Sequence, residues 1–104
     1  MDNFNEDIVK LLFRLKERPI CYLGAKSITR LHLFLDGFCW GYNYPSITPF
    51  FPDFQKKIEL KYKWELNDSW FSILLKVTND EEKAFDLFYE ELQIYLKENN
   101  DDIS

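Results

Sequence analysis

Cys21, Cys39 and His32 are the chain's two thiols and its one imidazole, and so its conventional nucleophile and base candidates. Thiol catalysis needs the imidazole within hydrogen-bond reach of sulfur, usually with a third group to orient it. His32 and Cys39 stand seven residues apart. On a helix that spacing gives similar faces but a separation of roughly 10 Å along the axis. Both thiols therefore read as structural, since a free cysteine commonly behaves as a small buried hydrophobe. His32 is expected at the surface or its boundary. With no CxxC pair and one histidine, a zinc site is not expected, nor is any other metal or cofactor.

The stretch Arg18-Pro19-Ile20-Cys21-Tyr22-Leu23-Gly24 resembles the Arg-Pro-x-x-Tyr-x-Gly strap of type II topoisomerase ATPase domains. Those enzymes also need glycine-rich phosphate loops, and glycines 24, 37 and 41 form none. The stretch reads instead as an extended strap, with Pro19 fixing φ, Tyr22 and Leu23 anchored in the core, and Gly24 supplying a positive φ or a close backbone approach.

Carboxylates crowd the C-terminal third: Asp80, Glu81, Glu82, Asp86, Glu90 and Glu91. Acid–base work would require a cleft that perturbs their pKa values. On the polar side of an amphipathic helix they serve solubility, or they form a docking face for a basic partner. Like charges at i, i+4 cost a few tenths of a kcal/mol per pair, so a ridge kept at that cost has a use to be sought. The aromatic run Phe38, Trp40, Tyr42, Tyr44, Phe50 and Phe51 has two readings, core packing or protein–protein anchors, with Trp40, Tyr42 and Tyr44 the anchor candidates. Base stacking would need a basic track beside it, and residues 31–55 hold no Lys or Arg.

Five helices are expected to carry these groups. The first, about residues 4–17, sets Phe4, Ile8, Leu11, Leu12 and Leu15 on one face, and Pro19 closes it. Ser27 caps the second, about 28–42, with Ile28, Leu31, Leu35 and Phe38 in a stripe. Leu33 and Phe34 lie off that stripe and suggest burial on more than one side. Thr48-Pro49 opens the third, which runs to about 64 through Phe51, Phe54, Ile58 and Tyr62. Asn67-Asp68-Ser69 is a stop and a fresh cap for the fourth, about 69–77. The composition of that short run also suits a strand, and periodicity does not decide between the two. Thr78-Asn79-Asp80-Glu81 reads as a capping box for the last helix. There Phe85, Phe88, Tyr89, Leu92, Tyr95 and Leu96 share a face, and Leu87 and Ile94 mark a second buried side or a contact patch. Residues 99–104 are expected to fray.

Composition agrees with an all-α, single-domain bundle spanning 1–104. At 46% hydrophobic and 18% aromatic, the 104 residues can fill one core. Three Gly and four Pro are few for a strand-and-turn fold. No apolar run is long enough to span a membrane, and the acidic start lacks the features of a secretory signal. A cytoplasmic location with reduced thiols is the expectation. The net charge of −5 is uneven: residues 1–79 sum to +2 and residues 80–104 to −7. That balance disfavours nucleic acid and favours a basic protein partner.

Three blocks together resemble a known group. They are Lys16-Glu17-Arg18-Pro19 with Tyr22-Leu23-Gly24-Ala25-Lys26-Ser27-Ile28, Leu31, Phe34-Leu35 and Gly37-Phe38; then Ser69-Trp70; then Asp80-Glu81-Glu82-Lys83-Ala84-Phe85-Asp86-Leu87-Phe88. The pattern resembles small bacterial proteins encoded beside polymorphic or contact-dependent growth-inhibition toxins. The resemblance implies a non-enzymatic immunity protein that binds a cognate toxin domain and blocks it. Ile20-Cys21 departs from the Gly-Met common in that group. A basic nuclease would fit the acidic face, since a nuclease must keep its phosphate-binding charge. The alternatives are an adaptor or subunit of another assembly, and a small enzyme using Cys39 and His32.

Overall fold

The computed structural model describes the backbone of residues 2–41 and 50–100, with side chains over 9–38 and 53–98. Among the described residues the chain is all-α, with six helices and no strand: α1 Asp2–Glu17, α2 Pro19–Leu23, α3 Ile28–Gly41, α4 Phe50–Lys61, α5 Trp70–Thr78 and α6 Glu81–Asn100. The Thr48-Pro49 cap and the turn at 42–49 lie outside the described residues.

The additional helix, α2, corrects the extended strap. Pro19 occupies the first turn of α2, where its missing N–H costs nothing. The Tyr22 N–H reaches the Arg18 carbonyl at 3.3 Å and the Gly24 N–H reaches that of Ile20 at 2.9 Å. Of the two expected anchors only Leu23 is buried; Tyr22 is exposed. Gly24 ends the helix at φ 83°. A Cβ there would meet Arg30 Nη1 at 2.7 Å, the nitrogen that donates to the Leu23 carbonyl at 2.9 Å. Gly24→Ala is therefore expected to destabilise by about 1 kcal/mol, chiefly through the left-handed backbone. A thermal melt unchanged by the substitution would rule this out.

The stretch 70–78 is helix. Its N-terminus is not capped as the sequence suggests: Ser69 stands at the N-cap without a side-chain hydrogen bond. Gln55 of α4 supplies the acceptor, its Oε1 taking the Trp70 N–H at 2.5 Å while its Nε2 donates to the Asp68 carbonyl at 2.9 Å. α4 ends earlier than expected. Lys63, at φ 52°, closes a Schellman turn with Lys63 N–H to Leu60 O at 3.3 Å and Trp64 N–H to Glu59 O at 2.9 Å. α5 ends at Asn79, also left-handed at φ 55°.

The buried stripes meet in one core. α6 contributes Ala84, Phe85, Phe88, Tyr89, Leu92 and Tyr95; α5 contributes Trp70, Ile73 and Leu74. α3 supplies Ile28, Leu31 and Leu35, α4 Phe54 and Ile58, and α1 Leu12 and Leu15. Each full burial of a large apolar side chain is worth about 1.5–3 kcal/mol. Leu33 is exposed and Phe34 half-buried, so α3 is covered on one side and part of a second. The Tyr89 hydroxyl donates to the Leu12 carbonyl at 2.5 Å and ties α1 to α6.

Candidate partner-binding face

α6 carries all six acidic candidates at or beside its first three turns, and the structure divides them by task. Asp80 is the N-cap: its Oδ1 accepts the Lys83 N–H at 2.9 Å. The Thr78 hydroxyl turns back to the α5 carbonyls of Leu74 and Leu75 at 2.9 and 3.4 Å. The expected capping box from Thr78 to Glu81 is thus replaced by an Asp80 cap, because Thr78 is still the last residue of α5.

Glu81, in the first turn of α6, reaches across to the N-terminus of α3. Its Oε1 accepts the Ser27 hydroxyl at 2.7 Å and the Thr29 N–H at 3.0 Å, and its Oε2 accepts the Thr29 hydroxyl at 2.7 Å. Ser27 performs its expected cap in parallel, its Oγ accepting the Arg30 N–H at 3.2 Å. The N-termini of α3 and α6 therefore share one carboxylate, favourable at both positive dipole ends. Burial alone would raise the Glu81 pKa. The hydrogen bonds from Thr29, Ser27 and the Ile28 N–H outweigh it and hold the group below the usual carboxylate range.

Glu91 is the second acid drawn inward, only 6% exposed. Its Oε2 accepts the Tyr62 hydroxyl at 2.7 Å and pairs with Lys61 Nζ at 2.6 Å. Burial first, then the Glu91 bond, pushes the Tyr62 phenol well above its ordinary value. The neighbouring Tyr95 phenol donates to Asp53 at 3.0 Å and is pushed up to about 12, again by burial first.

Glu82, Asp86 and Glu90 remain exposed, one turn apart along α6. Asp86 pairs with Lys26 at 2.8 Å. That hydrogen bond, with burial working against it and the charges of Asp86 and Glu82 adding to it, raises the Lys26 pKa. Among the described residues Glu82 and Glu90 form no ion pair. Of the aromatic candidates, Trp40 lies in α3 with its side chain outside the described residues, and Tyr42 and Tyr44 lie outside them entirely.

Cys21 is exposed on α2, which corrects the expectation of a buried thiol. Its helix has one turn and only Leu23 reaches the core. Cys39 lies in α3 with its side chain outside the described residues. His32 is at the boundary as expected, stacked on Phe71 with ring centroids 3.7 Å apart and Nε2 3.3 Å from Asp36. Stacking and an i, i+4 carboxylate are sufficient work for this ring. Among the described residues no group of three metal-ligating side chains converges, and no helix is long and apolar enough to cross a membrane.

What sequence reasoning missed is the surface between α4 and α6. There Leu60 is 78% exposed and Ile94 47%. Ile94 was marked by its position off the main stripe; Leu60 carried no such signal. Comparison with protein-family models, curated proteins and solved structures finds no match.

Proposed function

We propose that the chain is an immunity protein that binds a cognate bacterial toxin domain in the cytoplasm and occludes it through the exposed acidic ridge of α6. The observation that carries this reading is the ridge itself. Glu82, Asp86 and Glu90 project on successive turns while the opposite side of the same helix is fully spent on the core. Like charges at that spacing oppose the helix, and one lysine offsets only part of the repulsion. The pattern of sequence blocks around Pro19, Ser27, Trp70 and Phe85 supports the same class. A nuclease toxin gives the ridge a complementary target, since it must keep a basic surface for phosphate. Asp80, Glu81 and Glu91 serve the fold: Asp80 caps α6, Glu81 holds the N-terminus of α3, and Glu91 is drawn in against Lys61 and Tyr62.

Co-expression with the adjacent toxin domain, scored by growth rescue and co-purification, tests the assignment. Failure of both would favour the adaptor or subunit reading. The ridge has its own test. Glu82→Lys with Glu90→Lys keeps the Asp86–Lys26 pair and is expected to slow association by about tenfold at low salt, the gap closing as salt rises. An association rate unchanged at low salt would remove the ridge from the mechanism.

A further inference from the structure

The surface between α4 and α6 has a shape and charge distribution of its own. A groove of about 380 Å³ runs between the two helices, with Leu60 and Ile94 on its walls. A second, shallower concavity of about 470 Å³ opens on the other side of Leu60, against Trp64. Leu60 is thus an exposed apolar knob flanked by two hollows.

Among the described residues that line the two hollows, the charges cancel. Along the groove, Lys57 pairs with Glu98 and Lys61 with Glu91. The second hollow sets Lys56 and Lys63 among Glu59 and Glu65. Four lysines meet four glutamates on a chain whose net charge is −5. Two copies repel wherever their acidic surfaces meet, and this face is one where they do not.

We infer that this face is a self-association surface whose occupant is a second copy of the chain, related by a two-fold axis. Such an interface is isologous: the same patch serves both partners, so each knob must find a hollow and each cation an anion on an identical surface. The Leu60 face supplies both. In the pair, Leu60 of one copy fills the groove of the other beside Ile94, and the lysines exchange or share glutamate partners across the axis. The inference is independent of the toxin-binding assignment, which uses the earlier turns of α6.

Sedimentation equilibrium of the full chain over a wide concentration range tests it. The expected result is a reversible monomer–dimer equilibrium, weakened at least about tenfold by Leu60→Asp and by Ile94→Asp. Leu33→Asp, on an exposed leucine of α3 away from both hollows, is expected to leave it unchanged. Far-UV circular dichroism establishes that each variant is folded, and the Ile94 variant stands in should the Leu60 variant fail to fold. A chain monomeric throughout the range would overturn the inference. So would a dimer indifferent to both substitutions.

Discussion

Phe88→Ala is expected to lower the free energy of unfolding by about 3–5 kcal/mol, the range for truncating a fully buried phenylalanine. Phe88 has no exposed surface and sits where three helices meet. Its ring stacks on Trp70 at 4.8 Å and takes Phe54 and Tyr89 edge-on at 5.6 and 4.9 Å. Truncation removes the ring's transfer energy and also three aromatic contacts, and those neighbours cannot easily collapse into the space. Phe54 is itself wedged against Trp70 and Tyr95, and the Tyr89 hydroxyl is tethered to Leu12. A domain of this size holds about 5–15 kcal/mol in total, so the substitution removes a substantial share of it. Urea titration checks this through the midpoint. A loss below about 1 kcal/mol, with the slope unchanged, would mean that the ring does not occupy the centre of the core.

Glu81→Ala is expected to cost about 2–3 kcal/mol, more than an ordinary helix cap, because the lost acceptor is charged and serves several donors at the N-terminus of α3. Ser27 is buried, so its hydroxyl is poorly placed to find a substitute acceptor. The same carboxylate should make stability depend on pH. Its folded-state pKa lies below its unfolded value. Its contribution is therefore fully present above the ordinary carboxylate value and disappears as pH falls through the lowered one. Glu81→Gln keeps an acceptor oxygen without a titrating proton. It should lose less stability than alanine at neutral pH and flatten the acid limb of the stability curve. An acid limb identical in the wild type and the glutamine variant would show that the Glu81 carboxylate does not titrate with folding.

The class of fold was legible because its signals are local. The stripe from Phe85 to Tyr95 repeats at helical spacing, and Ser27 is a cap that any chain would use in the same way. The errors fall where a distant residue supplied what a near one was expected to supply. Ser69 looks like a self-sufficient cap, but Gln55 takes the Trp70 amide. Thr78 and Glu81 fit a capping box, but α5 claims the threonine and α3 the glutamate. The short helix after Pro19 was hidden because five residues carry no measurable period. Lys63 closes α4 in a conformation for which glycine is the usual sign. The acidic ridge was visible as composition, and the helical period sets Glu91 nearer the apolar stripe than Glu90, yet nothing local to α6 says that Glu91 lies under Tyr62. That sorting depends on where α4 comes to rest. The neutral face around Leu60 escaped for the same reason, since its lysines and glutamates come from two segments some thirty residues apart.

The placement of the Glu81 carboxylate also bears on how the molecule comes apart. Its acceptors reach Ser27 and Thr29, more than fifty positions away along the chain. A lone helix of fourteen residues is marginal in water, and α3 receives part of its terminal satisfaction only once α6 has docked. Partial melting that detached α6 would therefore fray α3 as well. The bundle is wired to lose its helices together, in one all-or-none transition seen alike by helical and aromatic probes.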